Sequence, residues 1–304
     1  SGSTLDVTSA GSLTSLMDIN HLAGVVNIDG TVETPNDYLL LSGLLSGKGT
    51  LRAGYFTNIM GVVAPGGIGS VGTLTVEGNA LLTSGSTLHI DLGANGTSDL
   101  LAVKATQFVP EDEGGEGEVI APTEGGNDNA QSAVASITAA EADGDVSLLA
   151  AGDPIDGIAA LGGKVVFGAA TGAKLRYGNR YTFLTAEGGI DGRFDTPTNI
   201  SAILKPVLTY GANSVTVTLD AGTYASVVNG NSQIQTSFAR LLDQNRALYG
   251  NYAALYGEAD LLSVAGIQAS LEAMAPRTEA LRTSMSEVLN DNMARFYRDR
   301  LTRV

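Results

Sequence analysis

The chain contains no cysteine and no tryptophan, and only two histidines, His21 and His89. Without cysteine there is no disulfide framework and no thiolate metal site. No run of eighteen apolar residues occurs, so no stretch reads as a membrane-spanning helix. Basic residues are scarce: 17 Lys and Arg stand against 32 Asp and Glu, a formal net charge of -15. Neutralising a phosphate backbone requires Lys and Arg, so nucleic acid is an unsuitable partner. The N-terminus, Ser1-Gly2-Ser3, lacks the basic and apolar regions of a secretion signal. If the protein is exported, that signal is expected outside this sequence, and the chain reads as a piece of something longer.

What is present is glycine, 39 residues of it, and enough apolar side chain (43%) for a real core. The charge is uneven: residues 1–228 carry all of the net -15, whereas residues 229–304 are neutral. Two compositions point to two parts.

From Ser3 to about Thr106 the pattern is short strands broken by Gly, Ser, Asn or Asp: "STLDV", "LMDIN", "VVNIDG", "YLLLSG", "GTLRAG", "GTLTVEG" and "STLHIDLG". Period-two alternation in Thr, Val, Leu and Ile predicts strands with one buried face. Strand starts recur at about twenty residues, which fits a solenoid or a sandwich. The weak repeat, the corner glycines and the few aromatics favour the solenoid, in which aliphatic ladders stack down one core. Residues 107–158 interrupt this. Between Glu111 and Asp145 lie ten acidic residues and no basic one. The segment predicts a solvated inserted loop, with a brief helix over 132–142. Its carboxylates raise a calcium site as the rival reading, but no EF-hand loop or nonapeptide repeat is present.

Strands resume at "GGKVVFG" (162–168) and "NRYTFLTAEGGIDGRF" (179–194). They end in a hairpin, "AILKPVLTYGANSVTVTLD" (202–220), turning at Gly211-Ala212-Asn213. After Thr223 the period changes to helical. Ile234, Phe238, Leu241, Leu242 and Leu248 share one predicted face, and Gly250 is the expected stop. A second helix is expected over 258–275, stopped by Pro276. A third, over 277–301, carries Leu281, Met285, Val288, Leu289 and Phe296 and ends in Arg295, Arg298, Arg300 and Arg303, which suits the helix dipole.

Chemistry has few places to reside. A hydrolytic triad needs a serine, a histidine and a carboxylate together, and no G-x-S-x-G elbow occurs. His89 alternates with Leu88 and Ile90 and is expected to face solvent; His21 is expected at a turn. Asp18, Asp29, Glu33 and Asp37 are the candidate carboxylates for polysaccharide cleavage on a solenoid face, yet they are scattered and no basic partner recurs with them. "GGIGSVG" (66–72) has the glycines of a dinucleotide loop but no helix after it; tight corners explain them more simply. Tyr249, Tyr252, Tyr256, Phe296 and Tyr297 are better explained by helix packing than by a ligand face. No catalytic, cofactor-binding or metal-binding residue is assigned.

Together these stretches resemble one family. "APGGIGSVGTLTVEGNALLTSGSTLHIDLGANGTSDLLAV" looks like the late β-helix coils of autotransporter passengers, the type V secretion system of Gram-negative bacteria. "YGNRYTFLTAEGGIDGRF", "LKPVLTYGANSVTVTLD", "NSQIQTSFARLLDQ" and "RFYRDRL" resemble, in order, that family's later coil, hairpin, following helix and pre-barrel segment. The resemblance covers about residues 60–304, and the acidic insertion departs from it. It implies a right-handed parallel β-helix with a C-terminal hairpin cap and an α-helical tail. The parts would be β-helix coils at 1–106, the acidic insert at 107–158, an autochaperone-like cap at 159–222 and a helical linker at 223–304. It further implies a non-enzymatic stalk and folding nucleus at the bacterial surface or outside the cell. The implied partners are the family's own outer-membrane barrel and, for adhesion or self-association, a host surface or a second copy. A self-assembling filament subunit and a remnant of a secreted enzyme with upstream catalytic residues are the two rival readings. "EVLNDN" (287–292) is similar to asparagine-containing cleavage sites in such linkers.

Overall fold

A computed structural model describes residues 2–108, 154–274 and 278–301. The predicted helix over 132–142 and the calcium question at 111–145 lie outside these residues. The chain divides into two compact units. One comprises Ser1–Ile200 with Leu204–Asp220; the other comprises Ser201–Ile203 with Ala221–Val304.

The first unit is mainly β, with parallel sheets. Strands β1 (Thr4–Val7), β2 (Ser12–Thr14) and β3 (Ile19–His21) make one circuit of the chain, and β4 (Val25–Ile28), β5 (Thr31–Glu33) and β6 (Asp37–Leu40) make the next. Next come β7 (Leu44–Gly47) with β8 (Thr50–Asn58), then β9 (Val62–Pro65) with β10 (Thr73–Leu82); β8 and β10 each serve two columns. After β11 (Thr87–Leu92) and β12 (Leu100–Lys104), the short strands β13 (Thr106–Gln107) and β14 (Pro154–Ile155) pair antiparallel. They clasp the two ends of the acidic insertion together. Then follow β15 (Ala159–Leu161), β16 (Lys164–Ala169), β17 (Arg180–Ala186) and β18 (Ile190–Gly192). Parallel pairing joins like strands of successive circuits, so three columns run through the unit, an arrangement compatible with a β-helix.

Register explains the core. The side-chain period of two places every second residue inward, and pairing stacks those residues into ladders. One runs Leu5, Val26, Leu45, Val63, Leu88, Val165. A second runs Leu13, Val32, Leu51, Val76, Val103, Ala186. A third runs Ile19, Tyr38, Phe56, Ala80, Ala159, Ile190. Beside the second ladder Thr14, Glu33, Arg52, Glu77 and Lys104 line up with alternating charge, and Arg52 lies 3.0 Å from Glu33 and 3.6 Å from Glu77. Corners are glycine because stacked backbones leave no room: a Cβ on Gly49 would sit 2.1 Å from the Gly30 carbonyl oxygen.

The late end differs from the start. Phe167, Phe183 and Phe194 pack there with centroids 5.3 and 6.2 Å apart. Strand β20 (Ser214–Ala221) pairs antiparallel with β17, and β19 (Leu204–Tyr210) lies outside it. The predicted hairpin forms about Gly211-Ala212-Asn213. The Asn213 side chain donates to the Ala186 and Glu187 carbonyls at 2.7 and 2.9 Å, which ties the turn to β17.

The second unit is helical: α1 (Gln233–Gln244), α2 (Ala253–Ala259), α3 (Val264–Ala273) and α4 (Thr278–Leu301). Ser232 and Ser263 cap α1 and α3 by accepting from Gln235 and Gly266 N–H groups. The predicted face of α1 needs correction. Ala239 and Leu242 are the buried residues, whereas Leu241 is 52% exposed and Ile234 is 38% exposed. Small Ala239 sits in the core with Phe238 packed against it, which turns the helix away from the expected stripe. Gly250 does not end the helix. The chain leaves the α form at Asn245, whose side chain donates to the Leu241 carbonyl at 2.8 Å. Leu248 therefore falls in a 3₁₀ segment, Arg246–Tyr252, off that face. The expected helix over 258–275 also divides: residues 260–263 separate α2 from α3.

Candidate functional site

The loop after β9 is the most chemically loaded place in the first unit. Gly66, Gly67 and Gly69 take φ of +80°, +82° and +87°, a region open to glycine. That lets the backbone fold over β11 and aim N–H groups at two carboxylates. Gly69 N–H donates to Asp91 Oδ2 at 2.5 Å and Gly72 N–H to Asp99 Oδ1 at 2.8 Å. Asp99 Oδ2 also accepts from the Asp91 N–H at 2.8 Å. Both carboxylates are buried. Burial pushes the Asp99 carboxyl up to about 7, and the negative Asp91 adds to that, while the two N–H bonds and Lys48 oppose it.

His89 and Ser70 flank this pair, so a serine, a histidine and two aspartates share one patch. The geometry does not join them into a triad. His89 Nε2 lies 3.4 Å from Asp91 Oδ1, long for a hydrogen bond. The Ser70 hydroxyl accepts from Lys48 Nζ at 3.4 Å, and among the described residues no hydroxyl donates to His89. A nucleophile must pass its proton to the base; here the carboxylates hold a loop. His89 is also not free in solvent as expected, since its ring lies against Asp91 with 19% of the side chain exposed.

His21 is a second correction. It belongs to β3, not a turn, and its side chain is buried. Nδ1 lies 3.3 Å from the Tyr38 hydroxyl and Nε2 lies 3.4 Å from the Gly24 carbonyl. Burial lowers its pKa, opposed by the Gly24 contact, so the ring is neutral at pH 7. It lines a cavity of about 320 Å³ with Leu5, Leu13, Ile19, Val32 and Tyr38.

The four candidate carboxylates are not gathered. Asp18 and Asp37 do meet: the Asp37 N–H donates to Asp18 Oδ1 at 3.3 Å, and burial, then the Asp18 charge, raises the Asp37 carboxyl. Asp29 accepts from the Lys48 N–H at 3.1 Å, and Glu33 pairs with Arg52, a basic partner that sequence reasoning did not find. Among the described residues no three His, Asp or Glu are disposed to hold a metal ion.

The tail aromatics divide by role. Tyr256 is buried and stacks on Tyr249 at 5.5 Å, as packing predicts, while Tyr252 and Phe296 are exposed. The sequence did not reveal the unit's strongest polar contact. Arg246 donates through Nη1 and Nη2 to Asp260 Oδ2 and Oδ1 at 2.7 and 2.8 Å, and the Tyr224 hydroxyl donates to Oδ1 at 2.7 Å. Its signal was an Asp between apolar residues, "EADLL", fourteen or more residues from any basic residue.

No protein-family model matches the chain. It is 28% identical over 192 residues to the extracellular serine protease of Serratia marcescens, covering 63% of this chain. It spans 14% of that relative's length. The similarity supports a relationship to secreted, passenger-like proteins. Among the described residues no helix is long and apolar enough to cross a membrane.

Proposed function

We propose that this chain is a non-enzymatic autotransporter-type passenger segment, displayed on the bacterial surface or released outside the cell, that serves as stalk and folding nucleus. Residues 1–106 are coils of a right-handed parallel β-helix, 107–158 an inserted acidic loop, 159–222 an autochaperone-like cap, and 223–304 a linker toward an outer-membrane barrel. The observation that carries this reading is three columns of parallel strands with unbroken inward ladders, closed at one end by an antiparallel hairpin. Such a stack grows circuit by circuit, each templating the next, and a closed last circuit provides a nucleus. Likeness to part of a secreted protein, and the absence of cysteine, suit export of an unfolded chain.

The test is refolding from urea, followed by far-UV circular dichroism. Deleting 204–221 should slow refolding by about tenfold or more, and deleting 3–23 should leave the rate nearly unchanged. Equal effects would remove the nucleus. A second reading, a remnant of a secreted enzyme, draws on the serine protease likeness; hydrolysis of casein or a small ester by the purified chain would favour it.

A further inference from the structure

The chain does not pass from the first unit to the second at a single point. Ser201–Ile203 precedes the β19–β20 hairpin in sequence, yet it belongs to the helical unit, which resumes at Ala221. Ile203 is fully buried in that unit's core with Tyr224, Leu242, Tyr256, Ile267 and Leu271. A residue from before the hairpin therefore completes a core whose other members all come after it.

The two roots of the hairpin are fastened within this helical unit. The Gly222 N–H donates to the Ile203 carbonyl at 2.8 Å, which joins one root to the other. Both roots also hold the same helical residue. The Ser201 hydroxyl donates to the Asp260 backbone carbonyl, and the Tyr224 hydroxyl donates to Asp260 Oδ1 at 2.7 Å. Ser201 Oγ in turn accepts from the Ile203 N–H at 3.1 Å. On the second root, the Asp243 carboxylate of α1 accepts from the Tyr224 and Ala225 N–H groups at 2.8 and 3.0 Å. A helical segment that merely followed β20 would need only the second root.

We propose that the helical unit is a clamp on the hairpin: through the strap Ser201–Ile203 it closes the base of β19–β20 and keeps β19 in place. The physical reason is loop closure. A hairpin must bring two lengths of chain together before its hydrogen bonds offset the lost entropy. The folded helical core already holds those two lengths side by side. Strand β19 needs the support, because among the described strands only β20 pairs with it, and Pro206 removes one of its backbone donors. The coupling is reciprocal, so a formed hairpin stabilises the helical unit equally. Helices rest on local contacts and form faster than sheets, so the clamp is set before the sheet closes. That it thereby speeds folding of the β unit rests on the nucleus reading above; the clamp itself does not.

The experiment is amide hydrogen exchange of the whole chain, read by mass spectrometry, in Ile203→Ala and Asp260→Asn. Both variants should lower the helical transition at 222 nm. Both should speed exchange over 204–207 by about tenfold or more, with a smaller rise at Tyr210 beside the turn. The β transition should stay where it is, because the helices are already unfolded at its midpoint. A third variant carries a short Gly-Ser spacer between Ile203 and Leu204, which slackens the strap and leaves both units whole. It should keep the helical transition and still exchange fast over 204–207. An unmoved helical transition in Ile203→Ala would overturn the strap. Exchange over 204–207 indifferent to the three variants would overturn the clamp, and so would an equal rise along β17, which would report general loosening. Slower refolding of the β unit in Asp260→Asn would support both the clamp and the nucleus. Raised exchange with unslowed refolding would support the clamp and remove the nucleus.

Discussion

Asp260 is the most informative single substitution in the helical unit. Its carboxylate is fully buried and accepts three hydrogen bonds, two from Arg246 and one from Tyr224. The guanidinium also lies over the Tyr256 and Tyr224 rings, 4.6 and 5.4 Å from their centroids. Asp260→Asn preserves shape but deletes the charge and turns one acceptor into a donor aimed at a guanidinium. Removing one member of a buried pair costs about 3–5 kcal/mol, because the other charge is left uncompensated. A small unit has little more stability than that. Urea unfolding followed at 222 nm, where the helices dominate, should show this transition lost or moved far down, with the β transition unmoved. Replacing both members with apolar residues, Arg246→Met with Asp260→Leu, should recover most of the loss. A cost for Asp260→Asn below about 1 kcal/mol would refute the reasoning, since that is the range of a solvated surface pair.

Three other outcomes follow from the β unit. Gly49→Ala should destabilise by about 2 kcal/mol or more in thermal melts, since its Cβ meets the Gly30 carbonyl; Gly230→Ala, a control in the helical unit with nothing within 4 Å, should shift the midpoint little. Phe56→Ala, in the buried, tilted Tyr38–Phe56 ring pair, should cost about 3–5 kcal/mol by urea titration. Asp99 has a carboxyl raised to about 7 in the folded chain, above its ordinary value near 4. The folded state therefore holds the extra proton between those values, and stability falls as pH rises through that window and levels off above it. The difference in unfolding free energy between the wild type and Asp99→Asn should show this slope between about pH 4 and 7; a flat difference would mean that the carboxyl is not raised.

The strands were readable because alternation and corner glycines are local signals. "GTLTVEG" and "STLHIDLG" each became one strand of a column, and the hairpin turned at the expected residues. The α1 face was not readable in the same way. A large residue weighs heavily in a hydrophobic pattern, yet the residue that met the core was Ala239, chosen by how closely the neighbouring elements approach. His21 failed for a related reason. A histidine straight after an asparagine looks like turn chemistry, but its strand register with Leu40 and Asn58 places it inward.

The buried charges show where local reading ends. Asp91 occupies a strand position that alternation assigns to the outside, and that assignment is right about the strand. It is buried because a loop some twenty residues earlier, 66–72, folds over it and needs acceptors for its N–H groups. Asp99 is buried for the same loop, and Asp260 for an arginine fourteen residues away in sequence. In each case the local pattern names the residue and a distant backbone or cation determines its environment. The aspartates most worth mutating are thus those that the loop 66–72 and Arg246 select, and Asp18, Asp29, Glu33 and Asp37, the more conspicuous in sequence, are the weaker targets for a search for activity.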